Sequence, residues 1–124
     1  GSSCNFWAAY DNVPQYIGAT IHLLSKGLDS GDVLFHCLPK VEEDQTNFDF
    51  SMRAVLAAQH GLSTALSSGE LFEFKCVAQD QSKEKRYTKN EEFTDAVAQE
   101  FLLRPNARLS SDMEYPKLIS PYFY

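Results

Sequence analysis

The stretch Gly18-Ala19-Thr20-Ile21-His22-Leu23-Leu24-Ser25-Lys26-Gly27-Leu28-Asp29-Ser30-Gly31-Asp32-Val33-Leu34 decides the fold. From Gly18 to Leu24 the side chains alternate, which predicts a strand with Ala19, Ile21 and Leu23 on one side and Thr20, His22 and Leu24 on the other. Ser25 to Asp32 places two glycines and two aspartates in eight residues, the composition of a loop. A second strand is predicted from Val33 to about Val41. Val33, Phe35 and Cys37 share one face and Leu34, His36 and Leu38 the other, so this strand should be covered on both sides. Pro39 cannot donate to a ladder, so the far end should lie at an edge or leave the sheet. The two strands read as an antiparallel hairpin. Hairpin loops usually hold about two to five residues, so the longer connection leaves room for a functional role.

Working outward, Cys4 to Tyr10 predicts a short helical turn that docks Phe6, Trp7 and Tyr10, followed by a turn at Asp11–Pro14. After an acidic connector, Glu42 to Gln45, a helix is expected from about Asn47 to Ser67. Thr46 or Asn47 would cap it, and Asp49 in its first turn suits the helix dipole. Val55, Ala58, Leu62, Ala65 and Leu66 form its apolar stripe, and Gly69 supplies a left-handed end. Leu71 to Ala78 alternates as a further strand would. Gln79 to Asn90 is polar, and its Lys83, Lys85 and Arg86 read as a solvated loop or as contacts to a phosphate. Thr94 caps a last helix with Phe93, Val97 and Phe101 on one side, stopped by Pro105. The aromatic tail from Asn106 to Tyr124 should lie extended against a surface, its own or a partner's. Residues 1–78 thus form the core and 79–124 a loop, helix and tail. The fold class is α/β, with an antiparallel hairpin followed by a long helix.

The chain has 124 residues and a net charge of −6, from 17 acids against 11 bases. This length suits one domain. The acidic balance disfavours nucleic acid as a partner. No apolar run reaches the ~18 residues of a membrane helix, so no membrane partner is expected, and the first residues lack the basic and apolar regions of a signal peptide. Cys4, Cys37 and Cys76 match no zinc spacing and complete no disulfide framework. No metal is expected, and a reducing, cytoplasmic setting follows.

No phosphate-binding glycine motif, metalloprotease motif or nucleophile elbow occurs. The long loop is the best site on physical grounds. Gly27 and Gly31 let backbone approach a ligand, and Asp29 between them can accept a proton or orient a water or a histidine. Asp29 and Asp32 can equally be turn formers that cap local N–H groups. His22 and His36 lie on neighbouring strands, where each reads as a packed, hydrogen-bonded residue or the two as a metal-ligand pair. His60 falls mid-helix and should be solvated.

The same stretch, Gly18 to Leu34, resembles a signature of the 10-formyltetrahydrofolate-dependent formyltransferase family. Asp44 and Thr46 resemble the residues that open the family's next helix, and Gly1 to Ala8 resembles an earlier helix start, with Cys4 where proline is common. The resemblance is strong over residues 1–68, and beyond about residue 80 only Arg86-Tyr87 with Glu92-Phe93 resembles a family element. It implies the C-terminal part of a Rossmann-like formyltransferase catalytic domain. It also implies formyl transfer from 10-formyltetrahydrofolate to an amine, such as an amino sugar or a similar small molecule. The family uses an Asn and a His from an N-x-H motif and one Asp. The Asp corresponds to Asp29, and Gly27, Leu28 and Asp29 would meet the folate. His22 matches a variable strand histidine that would support the site without touching substrate. This chain contains no N-x-H. The expected partner is therefore the N-terminal half of the domain, from the same gene or as a bound fragment, or else a second copy of the chain. The chain alone is expected to be inactive. The form Gly27 to Leu34 and the tail suit a sugar N-formyltransferase or an uncharacterised relative better than the glycinamide ribonucleotide branch, and the net charge of −6 weighs against the tRNA branch, whose further domain is usually basic. The alternative is a non-catalytic interaction or structural module built on the same fold.

Overall fold

A computed structural model describes residues 3–27 and 29–124. It places helix α1 (Cys4–Tyr10), strands β1 (Ala19–His22) and β2 (Val33–Leu38), helix α2 (Asn47–Ser68), helix α3 (Asp95–Leu103) and the short strand β3 (Tyr122–Phe123) in that order. The chain is mixed α/β. Its three-stranded sheet has the order β1-β2-β3, with β1 antiparallel and β3 parallel to β2. Among the described residues no helix is long and apolar enough to cross a membrane.

β2 is the central strand, as its two-sided apolar pattern predicts. Val33, Leu34, Phe35 and Cys37 are all buried, and the strand stops at Leu38, one residue before Pro39. β1 is shorter than the alternation suggests. The register slips between Ile21 and His22, so that Ile21 faces Phe35 but His22 faces Val33. Such an irregularity sharpens the twist and ends regular pairing. Leu23 and Leu24 then leave the sheet, 44% and 98% exposed.

α2 begins with a reciprocal cap. The Thr46 hydroxyl accepts the Asp49 N–H at 3.1 Å, and the Asp49 carboxylate accepts the Thr46 N–H at 3.2 Å. It ends at Gly69, whose φ of 80° is the left-handed conformation expected there. Its inward face keeps only part of the expected stripe. Ala65 is buried and Ala58 half-buried, but Val55, Leu62 and Leu66 are exposed, and Phe50, Ser51, Ala54, Ala57 and Gly61 are buried in their place. The cause is distance. A Cβ on Gly61 would sit 2.5 Å from the Cys37 sulfur, so the helix lies too close to β2 for large side chains. Small residues therefore face the sheet, and the larger apolar ones face outward.

α2 spans two apolar clusters. One joins it to Ala8, Ala9, Ile17 and Phe101, the other to Leu34, Phe35 and Cys37 of β2. Thr94 caps α3 by accepting the Val97 N–H at 3.3 Å, and Phe101 is the buried anchor of that helix. Two arginines pin the end of α1. Arg86 lies 3.8 Å over the Trp7 ring and donates to both Asp11 carboxylate oxygens, at 2.7 and 2.6 Å. Arg104 lies 3.7 Å over the Tyr10 ring and donates to the Tyr10 carbonyl at 2.7 Å. Arg86 is thus a structural contact, while Lys83 and Lys85 are exposed as the solvated-loop reading expects.

The strand expected over residues 71–78 does not form. Glu70–Phe72 is a 3-10 turn, and Phe72 is 84% exposed. Only Val77 pairs, exchanging both backbone hydrogen bonds with Val33 at 2.8 and 2.9 Å. The rest of that β2 edge belongs to the tail. The His36 N–H donates to the Ile119 carbonyl at 2.9 Å, and the Tyr124 N–H donates to the Leu38 carbonyl at 3.0 Å. Tyr122 packs on Phe35 with ring centres 5.1 Å apart. Its hydroxyl donates to Glu70 at 2.5 Å, a bond that pushes the phenol up to about 12. His60 is exposed, as expected, but it also carries the stacked ring of Tyr124 at 4.2 Å.

Candidate functional site

The connection between β1 and β2 is built by its own short polar side chains and by one residue from far away. The Leu23 N–H donates to the Asp32 carbonyl at 2.9 Å and closes the loop at its base. Within it, the Ser25 hydroxyl lies 2.8 Å from the Ser30 hydroxyl and donates to the Gly27 carbonyl at 3.2 Å. A Cβ on Gly31 would run into the Leu23 carbonyl, and one on Gly27 into Ser30. Both glycines therefore serve the compactness of the loop itself. Leu28, expected to meet the folate, lies outside the described residues.

Asp29 stands at the turn with φ 53°. An aspartate tolerates this left-handed conformation better than most side chains. Its carboxylate is 65% exposed, and one oxygen lies 3.8 Å from His22 Nε2. That is charge-pair range rather than a direct hydrogen bond. His22 Nδ1 is 2.9 Å from the Leu23 carbonyl. A carbonyl only accepts, so Nδ1 carries a proton and Nε2 is the nitrogen turned to Asp29. The two residues singled out from sequence, Asp29 and His22, are thus brought together, as an exposed carboxylate beside an imidazole. This pair can take up, hold and pass a proton.

His36 is not part of the site. It sits opposite Thr20 in the ladder, and its Nδ1 accepts the Ile119 N–H at 2.8 Å. The two histidines are therefore engaged with different partners. Among the described residues no group of three or more His, Cys, Asp or Glu is placed to hold a metal ion.

The sequence reading missed Gln79. Its Nε2 donates to the Asp29 carbonyl at 2.9 Å and to the Gly31 carbonyl at 2.6 Å. Both acceptors are carbonyls, so the amide orientation is fixed by chemistry. The pairing of Val77 with Val33 brings Gln79 there, and the alternation of residues 71–78 was the one sequence hint of that pairing. Two open concavities, of about 460 and 370 Å³, lie instead at the start of α2, the first lined by Glu42, Glu43, Asp44, Asp49, Met52 and Leu56 among others. Neither touches the Asp29 loop.

No protein-family model, no curated protein and no solved structure matches the chain.

Proposed function

We propose that this chain supplies the Asp-bearing, C-terminal part of a Rossmann-like formyltransferase domain. The reaction is transfer of a formyl group from 10-formyltetrahydrofolate to the amine of a small molecule such as an amino sugar. The observation that carries the reading is the juxtaposition of Asp29 and His22 on the loop whose sequence resembles the family signature. The open side of the sheet supports it as well. β1 is an edge strand among the described residues, so the N-terminal half of the domain, with its N-x-H, has a place to pair. That half would come from the same polypeptide or as a separate fragment. A cytoplasmic setting belongs to the same proposal.

The formyl donor supplies, when bound, an electrophilic carbon attached to a nitrogen leaving group. The loop fits part of such a ligand. It offers an exposed carboxylate, and Gly27 and Gly31 present backbone without side chains. In that role Asp29 accepts the proton that the attacking amine sheds and returns it to the departing nitrogen. When its ring carries a proton on both nitrogens, His22 steadies the carboxylate through Nε2. The donors that stabilise the developing oxyanion are, as the family resemblance implies, the Asn and His of the N-x-H motif in the N-terminal half.

The test is turnover of 10-formyltetrahydrofolate by the polypeptide that joins this chain to an N-x-H half. Asp29→Asn should lower kcat by roughly 10²- to 10⁴-fold, the range of acid–base catalysis. Its melting temperature should stay close to wild type, since the side chain is largely exposed. A near-normal kcat would remove Asp29 from the chemistry. The chain by itself should show no turnover above a blank.

A second reading, a non-catalytic interaction module, is favoured by the outward apolar residues of α2. Phe48, Met52, Val55, Leu56 and Leu66 are each at least 41% exposed, more than a surface helix needs. Formyl transfer by the joined polypeptide would set that reading aside.

A further inference from the structure

The structure assigns Gln79 the part of a positioning residue for Asp29, an inference that rests on the formyl-transfer reading for its catalytic consequence. The clamp itself is geometric. Gln79 lies outside the hairpin, 50 residues from Asp29 and 48 from Gly31 in sequence, and its one amide nitrogen donates to the carbonyl of each. These two peptide units lie on either side of Ser30 and Gly31 and hold the backbone where it leaves Asp29, the residue that presents the carboxylate. Three further bonds run within the loop and join Ser25 with Gly27 and Ser30, and Leu23 with Asp32. The two Gln79 bonds are long-range and tie the Asp29 peptide to the rest of the fold.

Gln79 is anchored in its turn. Two residues earlier Val77 exchanges both backbone bonds with Val33, the first residue of β2. The clamp therefore refers the position of Asp29 to the central strand rather than to the loop. A residue in the left-handed region persists only where its surroundings hold it there, and Asp29 has φ 53°. Removing the two N–H donors takes this long-range support away. The carboxylate then loses its fixed distance to His22 and to whatever the loop faces. A displacement of about 1 Å at a reacting group can cost ~10²-fold in rate.

The experiment uses two variants. Gln79→Leu removes both donors and keeps much of the bulk. Gln79→Glu keeps the length and turns a carboxylate toward the two carbonyls. Both side chains lie on an exposed stretch, so folding should survive. In the chain itself, backbone order parameters at Ser30 and Gly31 should fall below about 0.6. Exchange of the Leu23 amide should accelerate by roughly thirtyfold, the loss of two hydrogen bonds at their usual net strength. The Val33 and Val77 amides should exchange as in wild type. In the polypeptide joined to an N-x-H half, kcat should fall by at least roughly tenfold with KM for the amine unchanged. A loop as ordered and protected in both variants as in wild type overturns the clamp. A loosened loop with unchanged kcat overturns the positioning role. A wild-type polypeptide without formyl transfer, in which the loop still loosens in the variants, upholds the clamp and overturns the reaction.

Discussion

Asn47 ties the start of α2 to the segment that follows α3. It is the first residue of α2, only 4% exposed. Its Nδ2 donates to the Pro105 carbonyl at 3.1 Å, and its Oδ1 accepts the Ala107 N–H at 2.6 Å. Asn47→Ala removes both. Each bond contributes about 1 kcal/mol net, and a buried N–H left without an acceptor costs about 1–3 kcal/mol more. Ala107 is itself 9% exposed, so water is poorly placed to replace the lost oxygen. The total is about 3 kcal/mol. For a chain of this size each kcal/mol moves Tm by ~4 °C, so Tm should drop by about 12 °C. The assay is a calorimetric melt beside a urea titration, in which the midpoint should fall while the slope holds. Hydrogen exchange should show the Ala107 amide, slow in wild type, becoming fast in the variant. A stability loss under about 1 kcal/mol, or an unchanged Ala107 amide, would refute the reasoning.

Gly61→Ala should cost about 1–3 kcal/mol by overpacking, because the new methyl meets the Cys37 sulfur at 2.5 Å; urea unfolding checks it, and a neutral result would mean that α2 can move off the sheet. Burial pushes the His36 imidazole below its usual value, so its neutral form is favoured in the fold. Its contribution is fully present above pH ~6.5, the unfolded value, and is lost as pH falls through the lower folded value. Protonation also removes the acceptor that holds the Ile119 N–H. Urea midpoints of wild type and His36→Gln between pH 7 and 5 should show a steeper loss in wild type. Equal slopes would sink the assignment.

The hairpin, its long loop and the caps of α2 and α3 were legible in the sequence because local chemistry fixes them. Alternation, two glycines with two aspartates, Thr46 with Asp49, Gly69 and Thr94 each act within a few residues. The orientation of α2 was not legible. Its stripe was read from hydrophobicity, whereas closeness to β2 selected Ala54, Ala57 and Gly61 over Val55, Leu62 and Leu66. The strand over 71–78 failed for a related reason. Alternation gives a strand only where an edge is open, and the tail occupies most of that edge of β2. Asp29 and His22 could be singled out because both lie on the hairpin. Gln79 could not, because nothing in a lone glutamine announces two carbonyl partners 48 and 50 residues away.

The tail on β2 has a consequence for how the molecule is made. β1, β2 and α2 are neighbours along the chain and can assemble early, since local contacts close quickly. The Ile119 segment that covers the far edge of β2 arrives from 83 residues away. Until it does, Val33–Leu38 presents an unpaired edge that is uncharged at neutral pH and has neither Pro nor Gly, the composition from which intermolecular strand stacking grows. Protein concentration during refolding, more than the stability of the finished fold, is then what sets the yield.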